Sequence, residues 1–179
     1  MSIYPPLPIT IEGNHILIKP LTLQDRDPLV QAASDGSLWN LWYTSVPTPE
    51  KMESYILTAL AEQDEKKSLP FIIIRKKDQK IVGTTRYMNI ETVIRRLEIG
   101  STWYAKSSQR TGVNTECKYL LLKHAFESLG CLAVELRTHW INHQSRAAIE
   151  RLGAKLDGVL RNHRMASDGT MRDTVVYSI

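Results

Sequence analysis

The chain has 179 residues, enough to bury a full core and few enough to form one domain, 1–179, and its 42% hydrophobic and 23% charged residues are ordinary for a soluble globular protein. A net charge of +4 is spread along the chain without a lysine or arginine block, which argues against a nucleic-acid binder. The opening stretch with Pro5, Pro6 and Pro8 has no signal-peptide character and no later apolar run could span a bilayer, so the reading is cytoplasmic, without membrane contact.

In chain order, His15 to Lys19 alternates apolar and polar residues as a strand does. Thr22 reads as the N-cap of a helix through Ala33, with Asp25 in the capping-box region. The stretch from Gly36 to Pro49 carries Trp39, Trp42 and Tyr43 with little periodicity, and aromatic residues in such a loop plug a core or line a pocket. Thr48 and Pro49 start a second helix running to about Glu65. Phe71–Arg75, Ile81–Asn89 and Arg96–Tyr104 read as a three-stranded meander with a turn at Asp78 and Gln79.

A long helix follows from Thr111 to about Leu129, with Gly130 as its terminator. Ala133 to Thr138 is the next strand and Asn142 to Leu152 the next helix, closed by Gly153. Lys155–Arg164 and Met171–Ile179 form a terminal hairpin across Asp168 and Gly169. The order gives an α/β plan with a mixed sheet. The two cysteines, Cys117 and Cys131, make neither a disulfide framework nor a metal-ligand spacing, and no metal is expected.

The run Gln109-Arg110-Thr111-Gly112-Val113-Asn114-Thr115-Glu116 lies between a strand and a long amphipathic helix. N–H groups at a helix start have no intrahelical partner and sit at the positive end of the macrodipole, so the junction suits a phosphate. Gly112 permits close approach to the backbone and Arg110 supplies a cation, which makes a pyrophosphate the natural guest.

This loop, the segment Asn142-x-x-Ser145 leading to Glu150-Arg151-Leu152-Gly153-Ala154, and the ending Asp168-Gly169-x-x-Arg172-Asp173 with Tyr177-Ser178-Ile179 together resemble the Gcn-related N-acetyltransferase (GNAT) superfamily. Within it the chain is similar to the ribosomal-protein alanine and serine N-acetyltransferases, and the resemblance runs from about Ile11 to Ile179. It implies a single domain of α+β type, a mixed and mostly antiparallel sheet with helices on both faces. Two parallel strands, Arg96–Tyr104 and Ala133–Thr138, would splay apart at the cofactor site.

The resemblance also implies acetyl-coenzyme A as cosubstrate, its pyrophosphate held by Gln109, Arg110, Thr111, Gly112, Val113, Asn114 and Thr115. Its pantetheine arm would pair with backbone near Trp103 and Tyr104 and bond to Asn142, which reads equally as a helix N-cap. The family pattern has a second glycine or alanine where this chain has Asn114, and asparagine tolerates left-handed backbone geometry. A tyrosine acid often stands seven positions after the asparagine, but Ile149 occupies that place here. Ser145 is the nearest hydroxyl and is expected as proton donor or cofactor contact.

Amine acetylation needs a base for the amine proton and a donor for the developing oxyanion. Glu98 is the base candidate, flanked by Leu97 and Ile99 and turned to the face opposite theirs; its alternative is a strand glutamate paired with Arg86 or Arg137. A backbone N–H at about Tyr104 is the oxyanion donor candidate. His139 and His143 flank the same junction as shuttle or packing histidines. Trp39, Trp42 and Tyr43, with Tyr87, Met88 and Trp103, are expected on the acceptor side.

The leading expectation is an N-acetyltransferase acting on a primary amine of a protein N-terminus or small molecule, as a monomer or homodimer. The rival is a non-catalytic acyl-coenzyme A-binding module, suggested by Asn114 and Ile149.

Overall fold

The computed structural model describes residues 6–41, 44–166 and 169–179. Its centre is an eight-stranded sheet in the order β1-β2-β3-β4-β5-β6-β8-β7. The strands are β1 (Ile11–Glu12), β2 (Ile16–Pro20), β3 (Ser68–Arg75), β4 (Lys80–Glu91), β5 (Arg96–Tyr104), β6 (Ala133–His139), β7 (Lys155–Met165) and β8 (Met171–Ser178). Every neighbouring pair is antiparallel except β5 and β6. The meander is therefore β3-β4-β5, and β7 and β8 form the terminal hairpin.

The helices are α1 (Arg26–Ser34), α2 (Met52–Asp64), α3 (Gly112–Lys123) and α4 (His143–Glu150). The lead-in to α1 is fixed by its capping residues, since the Thr22 N–H donates to Asp25 Oδ2 at 2.8 Å. Helices α1 and α2 cover one face of the sheet, where Leu29, Ala33, Met52 and Ile56 pack with Ile72 and Trp103. Helices α3 and α4 cover the other, where Val113, Cys117, Leu121 and Ile149 pack with Leu97, Ile99 and Tyr104. Cys117 and Cys131 are both buried free thiols, as packing residues should be.

The expected single helix from Thr111 to Leu129 is broken near its end. After Lys123 it widens into a π-helical turn, His124–Ser128. Tyr87 Oη donates to Leu121 O at 2.6 Å there, and an inserted polar side chain is a recognised cause of such a departure. Strand β1 is short and escaped the sequence reading.

A bulge in β5 decides which side chains share a face. Arg86 pairs with Gly100 and Thr84 with Trp103, so two steps on β4 oppose three on β5, and Ser101 absorbs the extra residue at φ +48°. Before it, Glu98 faces α1 and α2 while Leu97 and Ile99 face α3. After it the alternation is reversed, so Trp103 joins Glu98's face and Tyr104 lies under α3.

Candidate active site

Strands β5 and β6 pair at Arg96↔Ala133, Leu97↔Val134 and Glu98↔Glu135 and no further. Beyond that point β5 continues to Tyr104 and β6 to His139, so the strands part and leave a gap whose apex is Glu98. Ala105 N donates to Val82 O at 2.8 Å while Gly83 stands opposite Tyr104. In an antiparallel ladder this turns the N–H and C=O of Tyr104 to the other edge of β5, toward the gap. The Tyr104 carbonyl accepts from Gln109 Nε2 at 2.9 Å, and its N–H faces the opening.

The loop below the gap starts α3. Arg110 takes the left-handed conformation at φ +58°, which turns the chain, and Thr111 is the N-cap, its Oγ1 accepting from Val113 N at 3.3 Å and donating to Ser108 O at 2.6 Å. A Cβ added at Gly112 would meet nothing within 4 Å, so the first turn is open to a ligand's approach. Asn114 is helical, inside α3, so its tolerance of left-handed geometry is not called on. Glu116 is held away from the helix start: its Oε1 accepts from Asn14 N at 2.5 Å and Oε2 from His15 N at 3.1 Å.

The loop is braced by the end of α1. Lys106 N donates to Asp35 O at 2.9 Å and Ser107 N to Asp35 Oδ2 at 3.1 Å. A groove of about 220 Å³ lies between these parts, lined by Gly36, Leu38, Leu41, Lys106, Gln109, Arg110 and Gln144. Its cationic rim, free helix start and open glycine suit a diphosphate, which is the fit acetyl-coenzyme A requires.

Glu98 is 5% exposed. Its Oε2 accepts from Asn89 Nδ2 at 2.7 Å and lies 3.4 Å from Arg137 Nε. Burial raises its pKa above the ordinary carboxylate value, and the charge of Arg137 and the bond from Asn89 hold that rise back. Arg137 also grips Glu135 through Nε at 2.8 Å and Nη2 at 2.7 Å, and Glu135 accepts from Arg96 Nε at 2.6 Å. A cavity of about 540 Å³ opens beside this network, walled by Asn89, Glu91, Arg96, Glu135 and Arg137. Of the two partners considered for Glu98, Arg137 is the one found; Arg86 is taken by Glu62 at 3.0 Å and lies 4.8 Å over the Tyr55 ring.

Several expected residues fall elsewhere. Tyr87 was expected on the acceptor side, but it is fully buried on the α3 face, edge-on to Phe71 and bonded to Leu121 O. Its pairing with Ile99 puts it on the face opposite Glu98. The neighbouring Met88 pairs with Glu98 and does share its face. The side chains of Trp103 and Tyr104 are core residues of the two faces, so only their backbone is available to the gap. Trp39 packs against the α1–α2 core. Trp42, Tyr43 and Asp168 lie outside the described residues.

Asn142 is the N-cap of α4, its Oδ1 accepting from Ser145 N at 3.0 Å, which leaves its Nδ2 uncommitted to that cap. Ser145 is half-buried in the first turn. Ile149 points into the α3-side core, so that helix position offers no proton donor. His143 is exposed, and His139 Nδ1 accepts from Ile141 N at 3.3 Å.

Sequence reasoning missed Asn89, Asp35 and Lys118. Lys118 on α3 is 7% exposed, donates to Thr102 Oγ1 at 2.8 Å, and burial pulls its pKa down to about 8. The i, i+4 pattern of α3 marks an apolar face, and a lysine beside that face carries no signal that it will be enclosed.

The site is thus a gapped parallel strand pair with the start of α3 beyond its open end and a buried carboxylate at its apex. Residues 15–155 match the acetyltransferase (GNAT) domain family, and the chain belongs to it. The Bacillus subtilis protein YoaA, named as an uncharacterized N-acetyltransferase, is 25% identical over 94% of this chain and 95% of its own. A crystal structure of a GCN5-related N-acetyltransferase from Brucella melitensis superposes with a TM-score of 0.85 at 28% identity, covering 97% of this chain and 79% of that one. Mycobacterium smegmatis RimJ, solved with a coenzyme A disulfide, shares the fold at a TM-score of 0.82 and 21% identity, over 96% of this chain and 87% of its own. Among the described residues no helix is long and apolar enough to cross a membrane.

Proposed function

We propose that this chain transfers the acetyl group of acetyl-coenzyme A to a primary amine. The observation that carries the reading is the parting of β5 and β6 beyond Glu98, with the loop that starts α3 following the far end of β5. The N–H groups at the start of α3, with Arg110, hold the donor's diphosphate, and the free edge of β5 pairs with its amide-bearing arm. Asn142 Nδ2 is placed to bond that arm while Oδ1 caps α4. Acetyl-coenzyme A supplies the activated acyl carbon; the rest is done by the protein.

Glu98 accepts the amine proton, directly or through a water, and burial, by raising its pKa, makes it a stronger base than an ordinary carboxylate. The amine nitrogen then bonds to the acyl carbon as the carbon–sulfur bond breaks. A backbone N–H on the free edge of β5 near Glu98 donates to the carbonyl oxygen as charge develops on it; the Tyr104 N–H, six residues farther along the strand, is placed for the donor's amide-bearing arm instead. With Ile149 in place of an acid, coenzyme A departs as a thiolate, to which the Ser145 hydroxyl can donate a hydrogen bond; a thiol of pKa ~8.5 makes this a mild demand.

The test is a thermal unfolding midpoint with acetyl-coenzyme A, against dephospho-coenzyme A and ATP, followed by thiol release over a panel of amines. Ligand at one hundred times its dissociation constant should stabilise by ~2.7 kcal/mol. A shift with thiol release supports the transferase reading. A shift without release from any amine supports the non-catalytic module, and no shift at millimolar donor overturns both.

A further inference from the structure

The face that carries Glu98 continues across the second half of the sheet. Glu98 pairs with Glu135 on β6; two residues on, Arg137 pairs with Val176 on β8; and four residues back along β8, Arg172 pairs with Arg164 on β7. Directly paired residues share a face and alternate residues return to it, so Glu98, Arg137, Arg172 and Arg164 lie on one surface. Helices α1 and α2 pack over the β3–β5 side of that surface and α3 and α4 lie beneath the sheet. None of the described helices covers the β6-β8-β7 side.

Two like charges directly opposite across strands repel, and a fold keeps such a pair only when something offsets it. Arg137 is offset by Glu98 and Glu135. Arg164 and Arg172 are not: neither makes an ion pair with a carboxylate among the described residues, and Arg172 Nε is buried without a hydrogen-bond partner. His163 stands beside them, its Nδ1 3.1 Å from Thr174 Oγ1. The charge of Arg164 reaches Glu98, where it favours the carboxylate. The pair therefore shares the uncovered face of the sheet with Glu98, and among the described residues no carboxylate offsets it.

We propose that the acceptor is an amine that carries an oxyanion, a carboxylate or a phosphate, seated on Arg164 and Arg172 while the amine meets Glu98. This rests on the acetyltransferase reading above. Because the charge of Arg164 is felt at Glu98, the anion belongs within the first few residues of an extended peptide from its amine.

The test measures binding of acetylated products to the full chain with coenzyme A present, by calorimetry, so it does not depend on turnover. N-acetyl-Ala-Asp-Asp amide is compared with N-acetyl-Ala-Asn-Asn amide, and a phosphate arm uses N-acetyl-Ala-phosphoserine-Ser amide against its unphosphorylated form. At least one anionic product should bind about tenfold more tightly than its neutral partner, with the advantage falling as salt rises. Arg164→Gln with Arg172→Gln should erase that ratio. Arg161→Gln, which removes the same charge from β7 outside the Arg164–Arg172 pair, should preserve it. A carboxylate preference alone assigns an acidic peptide, and a phosphate preference alone a phosphorylated amine. Equal binding of anionic and neutral products, or a ratio untouched by the double variant, overturns the proposal. Absent donor binding in the thermal experiment would instead count against the transferase reading.

Discussion

Glu98 on β5 and Glu135 on β6 are the last residues to pair the two parallel strands, and Arg137 reaches both carboxylates from two residues beyond. Two acids and one shared guanidinium thus stand where the sheet opens. Burial raises the Glu98 pKa, and Glu135 accepts hydrogen bonds from both Arg96 and Arg137.

Glu98→Gln should lower kcat/KM for acetylation by about 10²- to 10⁴-fold and remove the acidic limb of the pH–rate profile. In the native protein that limb should lie above pH 4.5 because the folded pKa is raised. The same shift fixes the sign for stability. The folded state holds this proton more tightly than the unfolded chain, so stability is lost as pH rises through the window from 4.5 upward. Glutamine removes that penalty, and the variant should unfold no earlier than the native chain at pH 7. A variant that keeps its full rate across the pH range would remove Glu98 as the base.

Lys118 gives the opposite trend. Its folded pKa of about 8 lies below the ordinary lysine value of 10.5, so the unfolded state binds more protons between these values and stability should rise with pH there. The shift corresponds to about 3 kcal/mol against the charged form at neutral pH, less about 1 kcal/mol for the bond to Thr102. Lys118→Met should therefore stabilise the chain by about 2 kcal/mol at pH 7 and flatten the difference above pH 10. Denaturant midpoints measured across that range would show it, and a destabilised variant at pH 7 would contradict the account.

Gly112→Ala separates folding from donor binding. The added methyl meets nothing within 4 Å, and alanine is the better helix former by up to about 1 kcal/mol, so the fold should hold or gain. The methyl stands where a diphosphate must approach, and KM for acetyl-coenzyme A should rise about tenfold. Unchanged KM would place the diphosphate elsewhere.

Asn142 has two expected roles, and aspartate divides them. Asn142→Asp retains an oxygen for Ser145 N and should leave the unfolding midpoint near native, but it lacks the Nδ2 donor and should weaken donor binding. Asn142→Ala should lose both, with about 1 kcal/mol from the cap. If aspartate binds acetyl-coenzyme A like the native chain, the residue is a cap alone.

Tyr87→Phe should cost about 1 kcal/mol, the worth of the bond to Leu121 O, and leave the kinetic constants for both substrates alone. A raised KM for the acceptor would return Tyr87 to the groove.

Much of this was legible from local chemistry. Thr22 with Asp25, Gly130 and Gly153 at positive φ, and the meander spacing are signals carried by adjacent residues, and the elements they bound lie where expected. Glu98 was placed correctly because Leu97 and Ile99 flank it within an unbroken stretch of β5. Alternation fails two residues beyond Ile99, at Ser101, where the bulge exchanges the faces of Trp103 and Tyr104; the neighbouring Gly100 is the signal in the sequence that was not used. Tyr87 was misplaced because a buried tyrosine and a pocket tyrosine have the same sequence context. What separates them is the carbonyl of Leu121, contributed by a helix 34 residues away. The opposition of Arg164 and Arg172 was equally hidden, since it depends on the register of β7 against β8, which is shifted between Leu160 and Arg164.

Asp35 joins two regions that chemistry would otherwise leave separate. Its backbone and side chain hold the segment before α3, and the chain leaving it carries Leu38 and Leu41 to the groove wall. A donor seated at α3 would steady that wall before any amine arrives. The expected kinetic signature is an ordered sequence, with acetyl-coenzyme A adding first and coenzyme A leaving last, and with product inhibition by coenzyme A competitive against the donor alone.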